Sequence, residues 1–376
     1  MSTRNTCCLC NGNLKNITNL SQYPISFTMT KDDNYKFEDM IFSECIDCNT
    51  IQLRNLIDLK VLYDKPHNDN SIGNTWIEHF KEFSNMITKQ KNKNGTVLEI
   101  GSPTDKMLKY IDNYNNWILL DPNAKDYTNI EIYKDKNIKS IKSFFSESTV
   151  FDFKIDTIIH SHLLEHLYNP YELLLNMGKI LDNDGSIFIS VPNLHLYSFN
   201  MLFLGLHFEH TYFLNEMNML YLCNKCNLEI VTKEYYKNHS IFYQLKKSNN
   251  QKNISINLLK NFNLGYKSQL FKKINEIKKM IMIINSKIKD KEIYIFGCHS
   301  NTQAMLYFGL NINNIKYILD NDKGKWDKKL YGYQLQCKSP EIIKNIEEPM
   351  VICNVGPYTN EIKKQLMEIN NKTQIL

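Results

Sequence analysis

Apolar and polar positions fall into blocks along this chain, and the blocks change character twice. Between residues 96 and 193 four short runs stand out: "TVLEIG" (96–101), "WILLD" (117–121), "IDTIIHS" (155–161) and "GSIFISVPN" (185–193). Each is apolar, partly β-branched and closed by glycine, an acid or other polar residues, which predicts buried strands. Between the last two, "LLEHLYNPYELLLNMGKIL" carries apolar residues at helical spacing. Strands alternating with helices predict a mostly parallel, doubly wound α/β sheet. The polar text "KKSNNQKNISINLLKNFN" (246–263) predicts a boundary, after which helical text runs to about residue 290. "EIYIFGCHSN" (292–301), "IKYILDND" (315–322) and "PMVICNVG" (349–356) then predict strands around another helix, a second α/β unit. Residues 1–72 hold few long periodic runs. The expected division is therefore 1–72, 73–250 and 251–376.

A chain of 376 residues is too long for one compact core, which agrees with several units. Its 45 basic and 40 acidic residues leave a net charge of +5. That balance favours approach of an anionic substrate, but no sustained basic patch points to nucleic acid. The lysine-rich "KKINEIKKMIMIINSKIKDKE" alternates with apolar residues at helical spacing and reads as a solvated helix face. No run of about 18 apolar residues predicts a membrane span, and "MSTRNTCCLCNGN" lacks the apolar centre of a signal peptide. A cytoplasmic protein is the expectation. In such a chain ten cysteines favour metal binding over a disulfide framework.

Two knuckles carry that expectation. Cys7-x-x-Cys10 and Cys45-x-x-Cys48 each present two thiolates from one tight turn, and zinc takes four in a tetrahedron. Four protein ligands leave no open position, so the zinc would be structural. Cys223-x-x-Cys226 has no matching pair and reads as two ordinary free cysteines. "VLEIGSPTDKML" (97–108) has the strand–turn–helix form of a nucleotide-type cofactor site. Glu99 closes the strand, Gly101 lets the backbone turn against a ligand, and Asp121 follows at the next strand end. An acid there accepts both hydroxyls of a ribose. With the later "HSHLLEHLYNP", these residues suit S-adenosylmethionine better than NAD. In "GLHFEHTYFL" (205–214), His207, Glu209 and His210 interrupt apolar text. Polar core residues and a proton-moving base are both open readings there.

In their order along the chain, the two knuckles, "VLEIGS", "IKSFFSES" (141–148), "HSHLLEHLYNP" (160–170), "SVPN" (190–193), "FEHTYFL", "NHS" (238–240) and "IFGCHSNTQAML" (295–306) resemble a known family. It is that of the three-part nucleotide-sugar C-methyltransferases that build branched deoxysugars. The resemblance covers nearly the whole chain. It implies a Rossmann-like methyltransferase core between an N-terminal zinc-binding domain and a second, C-terminal α/β Rossmann-like domain.

The resemblance also implies roles. S-adenosylmethionine would be held by Glu99, Gly101, Ser102, Asp121 and Pro122, and by His162, Leu163 and His166. His210 would be the catalytic base, oriented by Glu209, with Tyr212 and Tyr63 hydrogen-bonding on the substrate side. A keto group acidifies the neighbouring sugar C–H, and a neutral imidazole can take that proton at cellular pH. His67, Asn238, His239 and Ser240, with His299 and Asn301 from the C-terminal unit, would contact a dTDP-linked sugar nucleotide. A monomer or weak homo-oligomer is implied, with no nucleic-acid or membrane partner. Relatives read "GSNDG" where this chain reads "GSPTD", so Asp105 is expected to crowd the cofactor if its position needs positive φ. Methylation of a sugar oxygen or nitrogen, and an inactive zinc-stabilised scaffold, are the competing readings.

Overall fold

The structure is a computed structural model that describes all residues except 64–72, 91–93, 128–129, 135, 194–205, 250–253 and 290, and the side chains of Ile132 and Pro357. The first segment forms a three-stranded antiparallel sheet of β1 (Leu14–Pro24), β2 (Phe37–Cys45) and β3 (Ile51–Leu53), in that order. Its sequence showed few periodic runs because its apolar residues serve neighbouring units. Tyr23, Met40 and Phe42 pack into one cluster with Tyr266, Ile274 and Ile295 from the end of the chain. Cys7, Leu9, Cys45 and Cys48 instead join Leu98 and Ile189 of the central sheet.

The central unit opens with α1 (Asn74–Gln90), which buries Phe80, Phe83, Met86 and Ile87 on one face. β4 (Thr96–Ile100), β5 (Asn116–Leu120), β6 (Ile138–Ile141) and β7 (Ile155–Ser161) follow. Next come α2 (Pro170–Ile180), β8 (Leu181–Pro192), α3 (Glu216–Lys225) and the hairpin of β9 (Leu228–Tyr236) and β10 (Ser240–Lys247). The seven strands are ordered β9-β10-β8-β7-β4-β5-β6. The pairs among β4 to β8 are parallel, while β10 runs antiparallel to both its neighbours. The sheet is thus mixed and Rossmann-like. The helical text from residue 163 yields a helix only from Pro170. Proline suits a first helical position, and the Asn169 side chain accepts from the N–H of Glu172 (3.3 Å) to cap it. Residues Leu164–His166 form one 3-10 turn instead.

From β4 the chain builds outward through β5 and β6, then crosses back to place β7 on the other side of β4. Strand order therefore reverses between β4 and β7. In open α/β sheets such a reversal splays the connections apart and leaves a crevice at the carboxyl ends of the strands.

The last segment has α4 (Ile256–Phe262), capped by Ser255 inside text that reads as a boundary, and the long α5 (Tyr266–Ile288). β11 (Ile293–Phe296), α6 (Ser300–Tyr307), β12 (Ile315–Leu319), β13 (Cys337–Lys338), β14 (Met350–Cys353), α7 (Thr359–Ile369) and β15 (Gln374–Ile375) follow. Their five strands form a parallel sheet ordered β13-β12-β11-β14-β15. Residues Met29–Thr30 of the first segment pair antiparallel with Lys329–Leu330. Among the described residues no helix is long and apolar enough to cross a membrane.

Candidate active site

A cavity of about 570 Å³ opens at the β4/β7 reversal, with walls from all three segments. Its floor is the turn after β4. Gly101 has φ +74°, and a Cβ there would stand 3.0 Å from the Leu163 side chain, so both conformation and space favour glycine. Ser102 tightens the turn by donating to the Thr104 carbonyl (2.8 Å). Glu99 lies buried beneath it, its carboxylate accepting from Trp117 Nε1 (3.1 Å). Burial pushes the Glu99 carboxyl up to about 8. Asp121, at the tip of β5, accepts from the N–H of Asn123 (2.6 Å) and faces the same cavity, as do Pro122, His162, Leu163 and His166.

The crowding expected of Asp105 does not arise. Its φ is not positive, its N–H donates to Tyr127 Oη (2.7 Å), and Tyr133 Oη donates to its carboxylate (2.8 Å). Tyr127 thus anchors the backbone, and Tyr133 draws the carboxylate away from the cavity lining.

The opposite wall is rich in proton-handling groups. Tyr63 Oη lies 2.9 Å from His166 Nδ1, and Glu209 Oε2 lies 3.5 Å from the same nitrogen. Glu165 Oε1 stands 3.6 Å from His166 Nε2, too far for a hydrogen bond. Burial holds the Glu165 carboxyl near 7, tempered by His166. The His210 ring is 5.0 Å from that of His166 and 4.2 Å from that of His207, and its Nδ1 has no hydrogen-bond partner. Burial, reinforced by His207 and His166, holds His210 well below the ordinary imidazole value, so it is neutral. Residues 207–210 form a turn, not a strand, so Glu209 and His210 are not forced to opposite faces.

This segment is placed by the first sheet. Phe213 N–H donates to Ile51 O (2.9 Å), Leu53 N–H donates to Thr211 O (2.8 Å), and Tyr212 bridges Gln52. The buried Arg4 adds a guanidinium bond to Thr211 O (2.8 Å).

Several expected site residues lie elsewhere. Tyr212 is buried outside the cavity, and its hydroxyl is used on the Leu164 carbonyl (3.0 Å). Strand-like pairing with Gln52 points it into the core. Asn238 is exposed at the β9–β10 turn, outside the lining. Asn301 is buried in the first turn of α6 and donates to the Asn354 carbonyl (3.1 Å), while its neighbour His299 does reach the cavity. His239 lines the cavity, and Ser240 sits one hydrogen bond behind it (2.7 Å to His239 Nδ1). His67 lies outside the described residues. The sequence reading passed over Glu165, Trp76 and Lys325 and gave His207 no role in the site, yet all four line the cavity. In "TWIEHF" the spacing of Trp76 and His79, three apart on one helix face, was the available signal.

The four knuckle cysteines do converge. Cys7 Sγ is 3.6 Å from Cys48 Sγ, and Cys10 Sγ is 3.5 Å from Cys45 Sγ. All four offer sulfur atoms within 4.8 Å of one another. A tetrahedron with zinc–sulfur bonds of about 2.3 Å has sulfur–sulfur edges of about 3.8 Å, so the donor set fits zinc. Gln52 Nε2 donates to Cys7 Sγ (3.2 Å), the kind of outer bond that orients a thiolate ligand. Cys223 and Cys226 are buried and are not members of this four-sulfur group.

Residues 74–233, less than half of the chain, match the model of a family described as a methyltransferase domain. The fold is similar to that of an S-adenosylmethionine-dependent methyltransferase from Clostridium acetobutylicum, at 10% identity over 47% of this chain and 93% of that chain, TM-score 0.37. It is also similar to the N-methyltransferase NodS from Bradyrhizobium japonicum in complex with S-adenosyl-L-homocysteine, at 10% identity over 48% and 93%, TM-score 0.38. A third is a 1,6-didemethyltoxoflavin-N1-methyltransferase from Burkholderia thailandensis, at 10% identity over 54% and 98%, TM-score 0.38. No curated protein matches the chain. The central unit is a methyltransferase domain.

Proposed function

We propose that this chain transfers a methyl group from S-adenosylmethionine to a carbon of a nucleotide-linked keto-deoxysugar, of the dTDP-linked type, with His210 as general base. One observation carries the reading: a single cavity joins the Gly101–Asp121 turn to the wall bearing His210, His166, Glu209 and Tyr63. The turn suits such a donor. Gly101 bares the backbone to a close ligand, and Asp121 offers a carboxylate where a ribose would present its hydroxyls. The donor, when bound, supplies an electrophilic methyl group.

The protein's own groups do the rest. His210, neutral and lining the cavity, accepts the proton from the sugar carbon beside the keto group. Tyr63, within reach of His166, is placed to hydrogen-bond the oxygen on which negative charge develops. Glu209 holds His166 in orientation. Apolar lining from Phe27, Leu59 and Leu167 lowers the effective dielectric around these contacts. A structural zinc on Cys7, Cys10, Cys45 and Cys48 would fix β3, and β3 fixes the backbone on either side of Tyr212.

Calorimetry of zinc-replete protein with S-adenosylmethionine and with its demethylated product tests the donor, with micromolar binding expected. Silence at millimolar concentration would remove it. NMR of the product from a dTDP-keto-deoxysugar then locates the new methyl. A carbon-bound methyl is expected, and an O–CH3 or N–CH3 product would overturn the C-methylation reading.

A further inference from the structure

On the cavity wall nearest α1 stands a second histidine cluster. The family resemblance gives two of its members, His162 and His239, to cofactor and substrate contact, and none of the three moves a proton in the proposed chemistry. His79 projects from α1, His162 follows the last residue of β7, and His239 lies in the turn between β9 and β10. Each offers one ring nitrogen, and the three nitrogens lie within 4.8 Å of one another. His162 and His239 line the cavity, while His79 is wholly buried behind them.

Hydroxyls hold the rings. Ser190 Oγ is 2.9 Å from His79 Nε2, Ser161 Oγ is 3.0 Å from His162 Nδ1, and Ser240 Oγ is 2.7 Å from His239 Nδ1. Ser240 Oγ also lies 3.2 Å from His162 Nε2, and Tyr358 Oη lies 3.3 Å from His239 Nε2. The Trp76 ring stacks edge-on against all three imidazoles, at 4.6 to 5.2 Å between centroids. Stacking and serine bonds would account for a merely structural cluster at His162 and His239. They do not account for His79 Nδ1, buried with no hydrogen-bond partner. A polar nitrogen left so costs free energy that a ligand inside the cluster would recover. His162, moreover, is held at φ +53°, a conformation that residues other than glycine seldom adopt.

We propose that His79, His162 and His239 form a binding site for a divalent transition-metal ion of the zinc or cobalt class, with its open coordination position facing the cavity. Three imidazole nitrogens favour such ions over magnesium or calcium, which prefer oxygen. Three protein ligands with one position left for water or a substrate oxygen is the arrangement of reactive zinc sites, in contrast to the closed four-cysteine set. Zinc–nitrogen bonds of about 2.1 Å place ligand nitrogens about 3.4 Å apart, so nitrogens that lie within 4.8 Å of one another need close by no more than about 1.4 Å. Rotation of three imidazoles about their side-chain torsions supplies that movement without a backbone shift. Hydrogen bonds from the remaining nitrogens to serine then play the orienting part that outer partners play around ligated histidine.

The test is metal stoichiometry on the full chain with its four-cysteine site loaded. Protein dialysed against zinc, and separately against cobalt(II), is freed of loose ions and its metal content measured. Two ions per chain are expected, and cobalt at the histidine site gives visible d–d absorption without thiolate-to-cobalt charge transfer. His79→Gln and His239→Gln should each lose one of the two ions and that absorption. The His239 variant, in a two-strand turn, keeps the test independent of how the core accepts His79→Gln. One ion per chain in the wild type, or two that survive both substitutions, would overturn the proposal. None of these readings depends on methyl transfer, so this site and the proposed function fail separately.

Discussion

The two α/β sheets carry the same short logic, a glycine in the left-handed region after one strand and an aspartate after the next. In the central sheet these are Gly101 (φ +74°) and Asp121, and in the C-terminal sheet Gly297 (φ +98°) and Asp320. Their surroundings differ. A Cβ on Gly297 would fall 2.4 Å from His299 Nε2 and 2.9 Å from Val355, so the chain itself fills that turn. Asp320 accepts from the N–H groups of Cys298 (2.8 Å) and Asp322 (2.9 Å) and pairs with Lys325 (3.0 Å). Beneath the first turn lies Glu99, whereas the corresponding position two before Gly297 is the apolar Ile295. The first turn is built around acids and an opening. The second uses its acid to bind its own loop, and its main service to the cavity is a wall.

If chemistry belongs to the first region alone, His210→Asn should lower kcat by about 10²–10⁴-fold, the usual contribution of a general base, with donor affinity unchanged. A methyl-transfer assay beside calorimetry checks this, and a variant with full kcat would break the comparison at its strongest point. Glu99 gives the next effect. Burial raises its carboxyl in the folded chain to about 8, against 4.5 in the unfolded chain. Between those values the folded state keeps a proton that the unfolded state has released. Stability from this group is therefore full below about pH 4.5 and is lost as pH rises towards 8, by up to about 4 kcal/mol. Glu99→Gln keeps the neutral form and should flatten that slope in denaturant melts at pH 5 and pH 8. An unchanged slope would mean that Glu99 ionises freely.

The aspartates divide the two regions more finely. Asp121→Asn removes a charged acceptor from the donor site and should weaken S-adenosylmethionine binding about 10- to 100-fold, with little change in Tm. Asp320→Asn should do the reverse, leaving affinity intact while costing about 1–3 kcal/mol of stability, because Lys325 loses its partner. Equal effects on affinity would erase the distinction. Smallest is Tyr212→Phe. It removes one hydrogen bond to the Leu164 carbonyl, worth about 1 kcal/mol, and should leave kcat unchanged. A large fall in kcat would return Tyr212 to the substrate side.

Local pattern alone determined a good deal of this molecule. Buried strands announce themselves by apolar runs, so β4, β5, β7 and β8 were legible, as were the β11, β12 and β14 strands of the second α/β unit. The x-x spacing of the four cysteines was legible because one turn presents both sulfurs of a pair. Other features had no local trace. β6 and β10 are half-polar and were passed over, and of β9 only its start in "NLEIV" was legible. The first segment looked coreless because its strands bury their apolar faces against residues more than 200 positions away. Tertiary packing alone decided that Tyr133 turns Asp105 out of the cavity, that Tyr212 spends its hydroxyl on Leu164, and that His79 meets His162 and His239. Secondary structure follows from the periodicity of neighbours, which the sequence displays. Which acceptor a side chain finds, and whether a glycine faces a ligand or its own loop, depends on groups brought together from far apart, which periodicity cannot show.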